Sequence, residues 1–262
     1  MERSRAKSRP AAVLLCRADG RRQPQEEQLI LEVPLTIRVN GQRLLTVCRT
    51  PGGDDLLVAG VLFLHGLLEE EGESLSLAGG SPVPAGNFPV ATDTIDVRLA
   101  GLPADWQPPD LLAALYRRLP AATAAVPVVG NAELEKLLAL PAAMAARQRL
   151  RTVTRAAHAV ALFAPDGSLL TCQEDVGRNN TLDKALGYCL RHRLNRKKAT
   201  AVFSGRINLE MALKINRAGL RTVVSVSAPT AAAVAVLRQA GVLYLGSVRR
   251  RQGLLYHGTL RD

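Results

Sequence analysis

Glu174-Asp175-Val176-Gly177-Arg178-Asn179-Asn180-Thr181-Leu182-Asp183-Lys184 lies where a strand hands over to a helix. The apolar run before it, residues 159–170, reads as a strand hairpin, and the amphipathic segment after it, residues 182–193, reads as a helix. Two carboxylates, a glycine, an arginine and two amides are too polar for a packed crossover. Gly177 permits a positive φ and so a sharp turn. Asn179, Asn180 or Thr181 can cap the helix, whose N-terminus then favours an anion. Arg178 adds a planar donor fork suited to phosphate or carboxylate. A capped turn with solvated charges would use the same residues for structure alone. Adjacent positions on a strand end face opposite ways, which argues against Glu174 and Asp175 as an acid/base pair. Asp183 and Lys184 point apart on a helix and read as structural, each pairing elsewhere.

Downstream the pattern is regular α/β. Strands over residues 158–164 and 168–173 flank the turn Pro165-Asp166-Gly167. Strands over 199–203, 221–225 and 242–245 alternate with helices over 208–218, stopped by Gly219, and 228–240. Residues 247–253 read as a basic loop before a last strand, 254–257. Such alternation implies a largely parallel sheet with ligands at the carboxyl ends of its strands.

Upstream, residues 1–27 read as a basic arm around one short strand, 12–17. Strands 29–39 and 42–49 flank Asn40-Gly41, a hairpin turn whose residues tolerate positive φ. Thr50-Pro51-Gly52-Gly53 breaks the sheet, and a helix runs from Asp54 or Asp55 to about Leu68. His65 on it reads as a packing or surface histidine. Residues 69–88 read as a loop-rich insertion, 91–99 as a strand and 110–119 as a helix. A small apolar stretch, 121–129, ends at Gly130, and 132–149 reads as one helix or two, interrupted near Pro141. The shift in composition at residues 149–155 divides an N-terminal β-rich α+β subdomain (28–150) from an α/β domain (151–262).

The chain has 262 residues, 47% of them hydrophobic, enough for a real core. No apolar run reaches the length of a membrane span, and the basic start lacks a signal-peptide core, so a cytoplasmic protein is expected. Cys16, Cys48, Cys172 and Cys189 form no CxxC pair, which indicates neither a zinc knuckle nor a disulfide framework. The net charge of +11 favours acidic partners, but 3% aromatics leaves little for bases to stack on and weakens a nucleic-acid reading. A Walker loop, the H-x-E and P-C-x-x-C deaminase signature and a G-x-S-x-G elbow are all missing.

Three polar clusters, 174–184, Ser204-Gly205-Arg206 and 247–252, each follow a strand and are expected to converge on one sheet edge. Arg178, Arg206, Arg249, Arg250 and Arg251, with nearby hydroxyls and backbone amides, would form a cradle for a diphosphate through charge-assisted hydrogen bonds. Arg249-Arg250-Arg251 equally fits a solvated charge run.

Taken in order, these blocks resemble the formate dehydrogenase accessory proteins, FdhD. The resemblance rests on Glu32-Val33-Pro34-Leu35 with Arg38-Val39-Asn40-Gly41, then Arg49-Thr50-Pro51-Gly52, then His158-Ala159 with the Pro-Asp-Gly hairpin. The 174–180 stretch is its most specific part. Ser204-Gly205-Arg206 with Glu210-Met211 and Lys214, then Ser227-Ala228-Pro229-Thr230, then the basic loop before Tyr256 complete it. The family usually has His where this chain has Asn179.

The resemblance implies a cytidine-deaminase-like three-layer core with a mixed sheet and no zinc. It implies a sulfur carrier that takes persulfide sulfur from a cysteine desulfurase. The sulfur passes to the molybdenum or tungsten bis(guanine dinucleotide) cofactor of apo-formate dehydrogenase. GDP would be a surrogate ligand, and a homodimer is expected. The family's final loop corresponds to Ser247, Val248, Arg249, Arg250, Arg251 and Gln252. Asp175, Arg178, Asn180, Ser204 and Arg206 join it as expected cofactor-binding residues. The family's C-G-x-C-G loop corresponds to Val126-Pro127-Val128-Val129-Gly130, with Val126 and Val129 in the cysteine positions. Valine cannot carry a persulfide. Cys48 and Cys172 are the substitutes left, each in a predicted strand where free cysteine usually serves as a small buried hydrophobe. The competing readings are a cofactor-binding chaperone or regulatory paralogue without sulfur transfer, a nucleotide-modifying enzyme, and a nucleic-acid binder using charge alone.

Overall fold

Glycine and proline turn signals cut the chain into short apolar segments that fold as fourteen strands and seven α-helices among the described residues. The computed structural model describes residues 6–68, 77–79, 93–103 and 105–261. In chain order the first half contributes β1 (Ser8–Cys16), β2 (Arg22–Ile30), β3 (Val33–Val39), β4 (Gln42–Arg49), α1 (Asp54–Leu64), β5 (Leu77–Gly79), β6 (Asp93–Val97), α2 (Leu111–Tyr116), β7 (Val128–Gly130), α3 (Asn131–Ala145) and α4 (Arg149–Thr154). The second half contributes β8 (His158–Phe163), β9 (Leu169–Asp175), α5 (Arg178–Arg191), β10 (Thr200–Phe203), α6 (Leu209–Arg217), β11 (Thr222–Ser225), α7 (Ala231–Gln239), β12 (Leu243–Arg249), β13 (Gln252–His257) and β14 (Thr259–Arg261).

The central sheet has the order β13-β12-β11-β10-β8-β9. It is mixed rather than largely parallel: β10, β11 and β12 run parallel, while β8, β9 and β13 join through antiparallel pairs. The helix alternation that predicts parallel strands holds only between β10 and β12; hairpins supply the rest. A smaller sheet, β4-β3-β6-β5, stands beside it, with β7 and β14 as a separate parallel pair.

Alternating strand residues feed two buried clusters. One unites Val160, Leu162, Phe203 and Val223 of the sheet with α1, α5, α6 and α7, and includes Leu35, Ile37 and Val97 of the small sheet. The other packs Ala159, Ala161, Val202 and Leu245 against Leu137 and Met144 of α3. Helices therefore cover both faces of the central sheet, and one core runs across residues 149–155.

Several boundaries differ from the sequence reading. Residues 8–30 form a two-stranded hairpin, not an arm with one short strand, because Gly20 (φ 83°) closes a turn between Cys16 and Arg22. The strand expected over 29–39 is broken after Ile30. Helix α1 stops at Leu64, where Gly66 takes φ 75°. Pro141 lies inside α3 without ending it, and the break comes later, before α4. Helix α5 begins at Arg178, four residues earlier than predicted, so Asn179, Asn180 and Thr181 are its first-turn residues rather than its cap; Gly177 is the cap, with φ −91°. The expected basic loop over 247–253 is instead the end of β12, a two-residue turn at Arg250-Arg251 and the start of β13. Ser247 (φ 56°) forms a bulge that lets the ladder resume at Arg249↔Gln252. The insertion expected over 69–88 lies outside the described residues apart from 77–79.

Helices α1 and α5 touch backbone to backbone. A methyl at Gly60 would stand 1.9 Å from the carbonyl oxygen of Asp183, and one at Gly187 would stand 1.9 Å from that of Leu56. Neither oxygen can yield without opening the helix pair. Gly60→Ala is expected to lower unfolding free energy by about 3 kcal/mol or more, the upper end for overpacking, and urea titration followed by circular dichroism measures it. A loss below about 1 kcal/mol would show that the helix pair is not close-packed.

Candidate functional site at the carboxyl edge of the sheet

Strand β9 ends in two carboxylates with opposite fates. Glu174 turns outward and accepts from the backbone amides of Leu150 and Arg151 (both 2.8 Å), capping α4. Asp175 turns inward and is fully buried. It accepts from the Thr50 amide (3.1 Å), the Gly177 amide (2.9 Å), Asn180 Nδ2 (2.9 Å) and Lys184 Nζ (2.6 Å). Asn180 Nδ2 also donates to the Cys48 carbonyl (2.7 Å), and Lys184 Nζ to that of Thr50 (3.1 Å). Asp175 and Asn180 thus hold the β4–α1 turn to the start of α5. Gly177 serves close approach, since a Cβ there would lie 2.6 Å from Asn180 Nδ2. The neighbour pair Asp183 and Lys184 does pair elsewhere: both Asp183 oxygens accept from Lys214 Nζ (2.9 and 3.0 Å).

This arrangement sets Arg178 on the first turn of α5, a helix whose N-cap side chain supplies no hydrogen bond. A methyl at Gly205 would lie 3.7 Å from Arg178 Cβ and 3.3 Å from His158 Nδ1, so the β9–α5 and β10–α6 loops are neighbours. Ser204 Oγ accepts from the Ala159 amide (2.8 Å) and its carbonyl accepts from Ser227 Oγ (3.2 Å). The Ser247 amide in turn donates to the Ser227 carbonyl (3.4 Å). Arg178, Ser204, Arg206 and Ser247 therefore share one edge, with Arg206 exposed. Beyond Ser247 the chain runs on through the end of β12 into the turn to β13. Val248 is buried in the core beside α3, and Arg251 pairs with Glu135 of α3 (2.8 Å), while Arg249, Arg250 and Gln252 are exposed.

Sequence reasoning left His158 outside the expected site although it stands at this edge; burial, with the Arg178 and Arg151 charges, lowers its pKa. It also missed a cavity of about 320 Å³ that Arg178 helps to line, bounded by β4, α1, α2, α5 and α6. Cys48 lines that cavity and is exposed, not buried as expected, because β4 is an edge strand and the side chain alternates outward. Cys172 is half-buried, and burial pushes its thiol up to about 11.

Val126 and Val129 lie elsewhere. Val126 is exposed two residues ahead of β7, and Val129 is buried against α3. The Pro127 carbonyl accepts from the Thr259 amide, and Ala124 abuts Gly241, just before β12 begins. These valines and the arginine-bearing edge consequently occupy opposite ends of β12. Among the described residues, no helix is long and apolar enough to cross a membrane.

Removing the charge of Asp175 strands the 2%-exposed Lys184. Asp175→Asn is expected to destabilise the fold by about 3–5 kcal/mol, as for breaking a buried pair, whereas exposed Arg206→Ala should stay within about 0.5 kcal/mol. Denaturant titration of both variants gives the comparison.

Residues 115–261 match the family model for the FdhD/NarQ family. The chain is 32% identical over 255 residues to the sulfur carrier protein FdhD of Corynebacterium efficiens, covering 89% of this chain and 90% of that one. It is 32% identical over 267 residues to the sulfur carrier protein FdhD of Streptomyces coelicolor, covering 93% and 92%. A solved structure of a formate dehydrogenase accessory protein from Desulfotalea psychrophila superposes with a TM-score of 0.72 over 97% of this chain and 98% of its own, at 20% identity, and so shares the fold. By its sequence over nearly its whole length, the chain belongs to the FdhD/NarQ family.

Proposed function

We propose that the chain is an accessory protein for formate dehydrogenase maturation that binds the molybdenum or tungsten bis(guanine dinucleotide) cofactor, its cargo, through the anionic guanine diphosphate. The observation that carries this reading is the shared edge formed by Arg178, Ser204, Arg206 and Ser247 beside the first turn of α5. A guanidinium beside a helix N-terminus suits a diphosphate in charge and in donor geometry. Apo-formate dehydrogenase is the recipient in this reading, and a cytoplasmic homodimer the working form. The cytidine-deaminase-like layering expected of the core belongs to the same reading and is supported by helices on both faces of a mixed sheet.

A second reading, a chaperone or regulatory paralogue without sulfur transfer, is favoured by Val126 and Val129. Sulfur transfer would then have to use another thiol. The raised Cys172 thiol offers little thiolate near neutral pH, which leaves Cys48 as the exposed substitute beside the site.

Calorimetric titration with GDP tests the main reading. Binding is expected, weakened by about 1–3 kcal/mol in Arg178→Ala or Arg206→Ala, the range for a hydrogen bond to a charged group; unchanged affinity in both would remove this edge from the site. Incubation with a cysteine desulfurase and cysteine, followed by mass spectrometry, separates the two readings. A transferable persulfide on Cys48 supports a relocated carrier, and an unmodified protein supports the chaperone.

A further inference from the structure

At the end of the central sheet opposite the Arg178 edge, α2, α5 and α6 finish close together. The Arg118 carbonyl, just past α2, accepts from Asn216 Nδ2 near the end of α6 (3.1 Å). The Ala218 carbonyl accepts from Arg196 Nε (2.9 Å), and a methyl at Gly219 would lie 3.2 Å from Lys197 Cγ. The 3₁₀ turn Arg196–Lys198 that follows α5 therefore packs against the end of α6. Strands β10 and β11 start from these turns, at Thr200 and Thr222, and run away from them toward Ser204 and Ser227.

Cations crowd this end. Arg117, Arg118, Arg193, Lys198 and Arg221 are exposed. Arg196 and Arg217 stand among them, each 4.5 Å from the centre of the Phe63 ring, and with Lys197 they have partners of their own. Among the described residues, no carboxylate pairs with Arg117, Arg118, Arg193 or Lys198. Cations at a helix end complement its dipole, but Arg191 and Arg217, in the last turns of α5 and α6, already fill that role. Arg193 lies past the end of α5 in a left-handed conformation (φ 52°), a position that glycine takes without strain. Like charges gathered in this way repel one another and cost stability until an opposing charge meets them.

The neighbouring surface identifies the kind of partner. Leu112 and Tyr116, one turn apart on α2, are exposed at 42% and 47%, and Tyr116 adjoins Arg117. An apolar pair rimmed by arginines fits a protein surface, since tyrosine and arginine are the side chains enriched in such interfaces. A phosphate backbone gains nothing from an exposed leucine.

We infer that this face docks an acidic protein surface, with carboxylates meeting Arg117, Arg118, Arg193 and Lys198 and an apolar side chain meeting Leu112 and Tyr116. It lies at the other end of β10 and β11 from the Arg178 edge, so a partner held there leaves that edge open. The inference is independent of the diphosphate reading.

The test is fluorescence anisotropy of a dye-labelled synthetic peptide of alternating glutamate and leucine pairs, titrated with the full chain. The same peptide with glutamine in place of glutamate, and an oligouridylate of equal charge, are the comparisons. Two variants carry three charge reversals each. One combines Arg117→Glu, Arg118→Glu and Lys198→Glu; the other, on the β1–β2 hairpin, combines Arg9→Glu, Arg17→Glu and Arg22→Glu. All of these residues are exposed, and circular dichroism confirms folding of both variants. The wild type is expected to bind the glutamate peptide and not the glutamine one. Its affinity should fall as salt rises from about 0.01 M to about 0.1 M and the screening length shrinks from about 30 Å to about 10 Å. The Arg117-Arg118-Lys198 variant should bind about tenfold or more weakly, as three surface ion pairs are lost together, and the hairpin variant should stay within about twofold of the wild type. Equal losses in the two variants, tighter binding of oligouridylate than of the peptide, or no binding of the glutamate peptide overturns the docking face.

Discussion

The buried carboxylate of Asp175 is the constraint on which the rest of the architecture depends. A charge withdrawn from water costs several kcal/mol unless its partners replace the lost hydration. Four donors from two separated parts of the chain do so: the Thr50 amide from the β4–α1 turn, and Gly177, Asn180 and Lys184 from the entry into α5. Satisfying one carboxylate therefore docks the small sheet and α1 onto the central sheet and fixes where α5 begins. The same logic recurs on either side. Arg49, fully buried, bridges Asp54 and Asp93, tying β4 to α1 and β6. Lys214 joins α6 to α5 through Asp183; burial works against its charge, but the Asp183 and Glu210 carboxylates outweigh that and raise its pKa. Glycines complete the docking by letting α1 and α5 approach through their backbones, which no side chain could permit.

What the sequence disclosed follows the locality of each signal. The Asn40-Gly41 and Pro165-Asp166-Gly167 turns and the Gly219 stop are set by neighbouring residues, and the strand and helix ends that flank them are found within a residue or two. The sheet direction is less legible: the Pro165-Asp166-Gly167 turn marks β8–β9 as a hairpin, but no local signal tells that β8 pairs antiparallel with β10 or that β13 folds back on β12. The basic run before Tyr256 reads as a loop because three arginines carry no turn signature, yet Arg250 and Arg251 adopt left-handed conformations in the turn between the paired Arg249 and Gln252.

The candidate site shows the same division. That Glu174 and Asp175 would separate, and that Asp183 and Lys184 would find other partners, followed from the geometry of strands and helices. That Asp175 and Asn180 would be consumed internally did not, since their partners lie about 125 to 132 residues away in sequence. The cavity was beyond sequence reasoning for the same reason: its walls come from five elements spread across both halves of the chain. His65, weighed alone, is indeed a packed histidine, but it also faces that cavity. The separation of Val126 and Val129 from the arginine edge by the length of β12 likewise appears only once β14 has paired with β7.

If the carboxyl edge and the start of α5 form the ligand site, amide hydrogen exchange with and without GDP registers it directly. The expected result is slower exchange on GDP addition in peptides spanning residues 175–184 and 203–210, with little change around residues 124–130 at the other end of β12. Unchanged exchange in both of those segments, or slowing confined to the hairpin tip at residues 249–253, would contradict it.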